Sequence, residues 1–180
     1  MRPSLAFKLL LFWLSFVCVC LARPALAEPP AVTTTLGLDT PLATGEYVWD
    51  EDGAPPGAIR IVVDLQAERL YVYRGGAEIG RSSIISGWGD KPTPLGEYPI
   101  LMKDRYHVSG TYWGAPMPYT LRLTRDGVSI HGTEQVADDL ATHGCIGLPK
   151  GFAAILFDVA KVGDCVLITN GWMTDQYAQQ

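Results

Sequence analysis

The chain has 180 residues and a formal net charge of −5. That length suits one domain with a real hydrophobic core. The acidic balance and the lack of a Lys/Arg stripe argue against nucleic acid as a partner.

The N-terminus reads as a targeting segment. Arg2 and Lys8 precede a charge-free apolar run from Leu9 to Leu21, and Ala25-Leu26-Ala27 forms an A-x-A cleavage site. The run is well short of the ~20 residues that span a bilayer. Residues 1–27 are therefore expected to be a signal peptide, with export to the periplasm or cell envelope. Of 14 basic residues, Arg2, Lys8 and Arg23 leave with it, so 11 face 19 acidic ones in the mature chain, a formal charge of −8. Two of the four cysteines remain, Cys145 and Cys165. Cys165, in Cys165-Val166-Leu167-Ile168, reads as a buried strand residue, which favours free thiols over a disulfide.

Residues 28–58 are rich in Pro, Thr, Ala and Gly and read as a linker or N-terminal arm, with Tyr47-Val48-Trp49 as a segment that docks on the domain. The domain itself is expected at 59–170, and 171–180 as a C-terminal tail. Ile59–Asp64 and Arg69–Arg74 are β-branched and aromatic runs that predict a hairpin. Gly75-Gly76 turns the chain into a further strand through Ser83-Ile84-Ile85. More strands are predicted at Glu97–Met102, Thr120–Thr124, Val128–His131 and Cys165–Thr169. Arg125-Asp126-Gly127 is the turn between two of them, and Glu134–Leu140 a short helical turn. Phe152, Ile155, Leu156 and Val159 recur at i, i+3, i+4 and i+7, predicting one clear helix between Pro149 and Gly163. The fold class is mostly β: an antiparallel sandwich or barrel-like domain with that helix just after Cys145.

Only three histidines exist, and two of them, His131 and His143, stand close to Cys145 in Thr142-His143-Gly144-Cys145-Ile146. A cysteine thiol is only a few per cent ionised near neutral pH, so thiol acyl transfer needs an imidazole to draw off its proton. Gly144 permits the close backbone approach that an oxyanion hole requires. Two other readings of the same residues stand beside this one. Cys145 and His143 would be ordinary packing residues, or His131, His143 and Cys145 would bind zinc with Asp138 or Asp139. His107 reads as a surface or packing histidine.

These residues resemble the L,D-transpeptidase catalytic domain family of the YkuD type. The signature is His131-Gly132 followed by Thr142-His143-Gly144-Cys145. The hairpin Ile61-Val62-Val63-Asp64 with Leu70-Tyr71-Val72-Tyr73 fits the family too, as do Pro92-Thr93-Pro94-Leu95-Gly96-Glu97-Tyr98, Met117-Pro118-Tyr119 and Gly163-Asp164-Cys165-Val166-Leu167-Ile168. The likeness covers roughly 59–169. It implies Cys145 as nucleophile, His131 as base oriented by the Gly132 carbonyl, and an oxyanion hole from His143, Gly144 and Cys145. The substrate would be a peptidoglycan stem tetrapeptide, acylating Cys145 with loss of D-alanine and yielding a 3→3 cross-link. Tyr119, Trp113 and Met117 are expected to wall the substrate groove, with Trp88 in a Gly-rich loop nearby. No cofactor and no metal are implied. A carboxypeptidase or cross-link hydrolase, or an enzyme anchoring an envelope protein to peptidoglycan, would share this chemistry. A peptidoglycan-binding domain or a periplasmic metal-binding protein would not. One departure stands out: the family usually carries Arg or Asn two residues after the cysteine, and this chain has Gly147. Arg122, Arg105 and Lys103 are the candidate partners for substrate carboxylates in its place.

Overall fold

The structure is a computed structural model and describes residues 32–38 and 40–172. The expected signal peptide lies outside the described residues. Tyr47–Trp49 forms an edge strand, β1, so the arm does dock on the domain. Ile59–Asp64 (β2) and Arg69–Arg74 (β3) pair antiparallel as the hairpin predicted, and Ala77–Ser83 (β4) continues it. Gly96–Pro99 (β5) and Met102–Asp104 (β6) follow. They were expected as one strand, but the chain divides at Ile100-Leu101: β5 pairs in one sheet and β6 in the other. Thr120–Arg122 (β7), Ser129–Thr133 (β8) and Ile146–Pro149 (β9) lead directly into the helix α1 (Lys150–Val159), and Cys165–Thr169 (β10) closes the fold.

The strands form a six-stranded sheet in the order β1-β4-β3-β2-β10-β5 and a four-stranded sheet in the order β6-β7-β8-β9. The mostly β, sandwich-like architecture is as expected, but β2–β10 and β8–β9 are parallel pairs. The long loop between β8 and β9 returns the chain to the same end of its sheet, as parallel pairing demands. Helix α1 then carries it across to the other sheet, where β10 enters beside β2. Between the sheets lies the core, which takes Ile61, Leu70 and Val72 from the first, Leu121, Ile130 and Ile146 from the second, and Phe152 and Leu156 from α1. Lys103 closes α1 by donating to the carbonyls of Phe157 and Ala160, groups a helix C-terminus leaves unpaired.

Beyond Ser83 the chain leaves the first sheet and touches the second. Ile85 exchanges backbone hydrogen bonds with Gly147, at 3.0 and 2.8 Å. Gly87 then bridges to Thr142. This crossing brings a third segment beside the loop that carries Cys145.

Candidate active site

Cys145 sits one residue ahead of β9, and His131 in the middle of β8. The parallel register sets Ile130 opposite Ile146 and His131 opposite Gly147. Side chains alternate faces along a strand, so Ile130 and Ile146 enter the core while His131 and Cys145 share the other face. They lie one pleat repeat apart, roughly 7 Å along the strand direction.

The Nδ1 atom of His131 lies 3.0 Å from the carbonyl of Gly132. That partner makes Nδ1 the donor and leaves the lone pair on Nε2. Gly132 is itself locked. Its N–H donates to the Pro118 carbonyl at 2.7 Å, and a Cβ there would stand 3.3 Å from both that carbonyl and the Ala153 side chain. Glycine therefore lets α1 press against the strand that carries the imidazole.

The Cys145 Sγ atom lies 3.8 Å from the carbonyl of Gly127. Burial pushes its thiol above the ordinary value, with a backbone hydrogen bond from Ser129 pulling the other way. Burial pushes His131 below the ordinary imidazole value, partly offset by the Gly132 hydrogen bond and reinforced by nearby His107. Both shifts favour the uncharged forms. Burial therefore favours a thiol and a neutral imidazole over a standing thiolate–imidazolium pair.

The loop before Cys145 is held from two sides. Thr142 N–H donates to the Ser86 carbonyl at 2.9 Å, and its hydroxyl donates to the Cys145 carbonyl at 2.5 Å. The Thr93 hydroxyl reaches the same carbonyl at 3.5 Å and accepts the Gly87 N–H at 2.8 Å. Gly144 has φ of 109°, and a Cβ on Gly87 would come within 2.7 Å of its Cα. Two glycines thus let the Ser86–Gly87 segment and the cysteine loop touch through their backbones. The helical turn expected at Glu134–Leu140 is absent; only a turn closed by Leu140 N–H to the Ala137 carbonyl, at 3.0 Å, is found. The hydroxyl of Thr44 donates to Asp138 there, which favours open loop over helix.

Cys145 opens into a groove of about 580 Å³, walled among others by Lys91, His107, Tyr112, Met117, Arg122 and His143. His143 stacks on Tyr112, with ring centroids 4.3 Å apart. Of the expected groove residues, Met117 lines it. Trp113 does not; it is fully exposed. Tyr119 packs edge-on against Phe157 at 5.9 Å, away from the groove lining. Trp88 borders a separate depression with Asp138 and Asp139. Neither aspartate joins the two histidines and Cys145: no group of three or more His, Cys, Asp or Glu converges as metal ligands among the described residues. Lys103 is spent on α1, and Arg105 pairs with Asp158 at 2.6 Å. Arg122 alone of the three candidate cations lines the groove. Its Nε and Nη2 donate to the carbonyls of Thr124 and Arg125, at 3.1 and 2.8 Å. Lys91, Tyr112 and His107 are groove residues that sequence reading missed, because only long-range folding brings them to Cys145.

Gly147 gains a physical reason. A Cβ there would stand 2.7 Å from Ile85 Cγ1 and 3.1 Å from Cδ1. Ile85 covers the position where a longer side chain would start. Cys165 is half-buried on β10 and donates to Glu97 Oε1 at 2.6 Å; both cysteines are free thiols. Burial, then Glu97, push the Cys165 thiol up to about 12.

Residues 58–168 match a model of the L,D-transpeptidase catalytic domain family, YkuD. L,D-transpeptidase 1 of Mycobacterium tuberculosis is 27% identical over 124 residues, covering 61% of this chain and 49% of that protein. The probable L,D-transpeptidase 3 of the same organism is 26% identical over 154 residues, covering 77% and 54%. The chain thus spans about half the length of these relatives. Among solved structures, the fold resembles M. tuberculosis L,D-transpeptidase 1, with a TM-score of 0.54 at 27% identity, covering 63% of this chain and 62% of that one. It also resembles an Enterococcus faecium L,D-transpeptidase cysteine-to-serine mutant, with a TM-score of 0.56 at 27% identity, covering 63% and 50%. With His131 on β8 and Cys145 leading into its parallel partner β9 inside the matched span, the chain belongs to the L,D-transpeptidase catalytic domain family.

Proposed function

We propose that this protein is a peptidoglycan L,D-transpeptidase using Cys145 as nucleophile and His131 as general base. The observation that carries this reading is the pairing of Cys145 and His131 on one strand face, with Nδ1 of the imidazole committed to the Gly132 carbonyl. Nε2 then has the lone pair that a thiol proton needs. The thiolate attacks the carbonyl joining the third residue of a stem tetrapeptide to its terminal D-alanine. The oxyanion is met by backbone N–H groups of the His143–Cys145 turn. When the intermediate collapses the C–N bond breaks, and the imidazolium of His131 gives its proton to the departing D-alanine amine. A thioester remains. An acceptor amine attacks it, the C–S bond breaks, and Cys145 recovers a proton through His131.

Arg122 and Lys91 are the cations of this groove, and they take over the carboxylate recognition that Gly147 has no side chain to supply. The N-terminal segment exports the chain to the envelope, where the substrate is. N-terminal sequencing of envelope-derived protein is expected to begin at Glu28.

The direct test is mass spectrometry of the mature protein incubated with a disaccharide-tetrapeptide. D-alanine release with dimer formation is expected, and neither with Cys145→Ala. Release without dimers would make the enzyme a carboxypeptidase. No release from folded wild-type protein would overturn the enzymatic reading.

A further inference from the structure

The groove wall carries an imidazole that acylation does not use. His107 follows β6 and shares the groove wall with Cys145, Arg122 and Ser129. Its Nδ1 lies 3.2 Å from Asp104 Oδ2, and the other carboxylate oxygen accepts the Tyr106 N–H at 3.1 Å. The His107 carbonyl accepts the Met117 N–H at 2.9 Å. A backbone turn therefore fixes the carboxylate, and the carboxylate fixes the ring. With Nδ1 committed, Nε2 is the nitrogen left for the groove, and the side chain is 30% exposed there.

The second half of the reaction supplies a task for it. An alkyl amine near neutral pH is an ammonium ion with no lone pair. It must lose one proton before it attacks the thioester and a second as the amide forms. His131 emerges from acylation neutral and accounts for only one of these. We propose that His107, held by Asp104, takes the first proton from the acceptor ammonium and so selects an amine over water as the acceptor; this rests on the transpeptidase reading above.

The steps balance. An ammonium N–H bond breaks and an Nε2–H bond forms on His107. The freed amine attacks the thioester carbonyl, its second proton passes to His131, and the C–S bond breaks. Cys145 takes that proton back, and His107 returns its own to solvent through the groove. Other charged or titratable groups lining this space are Arg122, Asp126, Lys91, Tyr112 and His143, and His131 lies behind the lining within electrostatic reach of His107. A charge on His107 lowers the His131 pKa, so the two imidazoles resist being protonated together.

The test compares two acceptors in wild-type, His107→Gln and Asp104→Asn proteins. One is the tetrapeptide amine, read as dimer. The other is hydroxylamine, a nucleophile uncharged near neutral pH that needs no prior deprotonation. In His107→Gln, dimer formation should fall about 10²-fold, with a much smaller fall in first-turnover D-alanine release, and hydroxylamine should recover most of the transfer rate. Asp104→Asn should show the same pattern to a lesser degree. Unchanged dimer formation in His107→Gln would overturn the inference. So would a parallel loss with both acceptors, which marks a structural role. Absence of Cys145-dependent D-alanine release from the wild type would overturn the transpeptidase reading and this one with it.

Discussion

Burial moves Cys145 and His131, the proposed nucleophile and base, in opposite directions on the pH scale, and both moves favour the neutral forms. A base works only when unprotonated. Lowering the imidazole value therefore extends the working range of His131 toward acid. The acid limb of kcat/KM for D-alanine release is expected below about 6.5, the ordinary imidazole value. A limb at or above that value would show that His131 is not the base being titrated. The same shift has a stability consequence of definite sign. As pH falls through about 6.5, the unfolded chain binds the His131 proton before the folded one does, so the unfolded state holds more protons and stability drops. His131→Gln removes this source of acid sensitivity. Urea unfolding on either side of that pH should show a smaller difference for the variant than for the wild type.

At the scale of elements, the crossing of the chain beyond β4 decides what residue can follow the cysteine. Ile85 pairs its backbone with Gly147 and lays its side chain over the missing Cβ. Gly147→Asn, which restores a residue usual in the family, should destabilise the fold by roughly 1–3 kcal/mol through overpacking. Ile85→Ala in the same chain should recover much of that, read as the urea midpoint. Additive losses would mean that Ile85 is not the obstacle. The β2 and β3 hairpin, β10 and the helix could be read from the sequence because their patterns are local: alternating β-branched residues or a 3.6-residue period. The four-residue β9 could not. It is too short to show a period and is held by distant partners, β8 on one side and Ile85 on the other. The split of β5 from β6 and the open loop at 134–140 were likewise decided by distant contacts. In the site, Cys145 and His131 were legible because their residue types are scarce and chemically specific. His107, Lys91 and Tyr112 were not, since nothing in their neighbours signals that the chain folds them over a thiol. Tyr112 and Trp113 show the limit well: adjacent aromatics, one stacked on His143 and the other wholly in solvent.

For the whole molecule, the N-terminal arm packs on the domain behind the candidate site. Its Leu36 N–H donates at 3.0 Å to Glu78, which is buried in a two-point pair with Arg81. Farther along, Tyr47 and Trp49 of β1 both pack on Phe152, each with ring centroids 5.6 Å apart. Phe152 is fully buried at the start of α1, and the next residue, Ala153, abuts Gly132, whose carbonyl orients His131. The arm thus packs on the helix that abuts the strand carrying His131. Trp49→Ala should lower stability by about 2–3 kcal/mol, less than a fully buried tryptophan because the indole is partly exposed. It should also slow acylation more than an equally destabilising change remote from α1, since the lost contact loosens the backing of Gly132. Gly80 offers a second route, one that strains both the indole and Phe152. A Cβ there would stand 2.5 Å from the Trp49 ring and 3.2 Å from the Phe152 ring, so Gly80→Val should evict the indole without altering the arm itself. If both variants unfold more easily yet acylate Cys145 at the wild-type rate at a temperature where they remain folded, the arm stabilises the domain without positioning its base. If both slow acylation by a similar factor, β1 belongs to the catalytic unit, and a chain beginning at residue 58 should fold less stably and react more slowly than one beginning at residue 28.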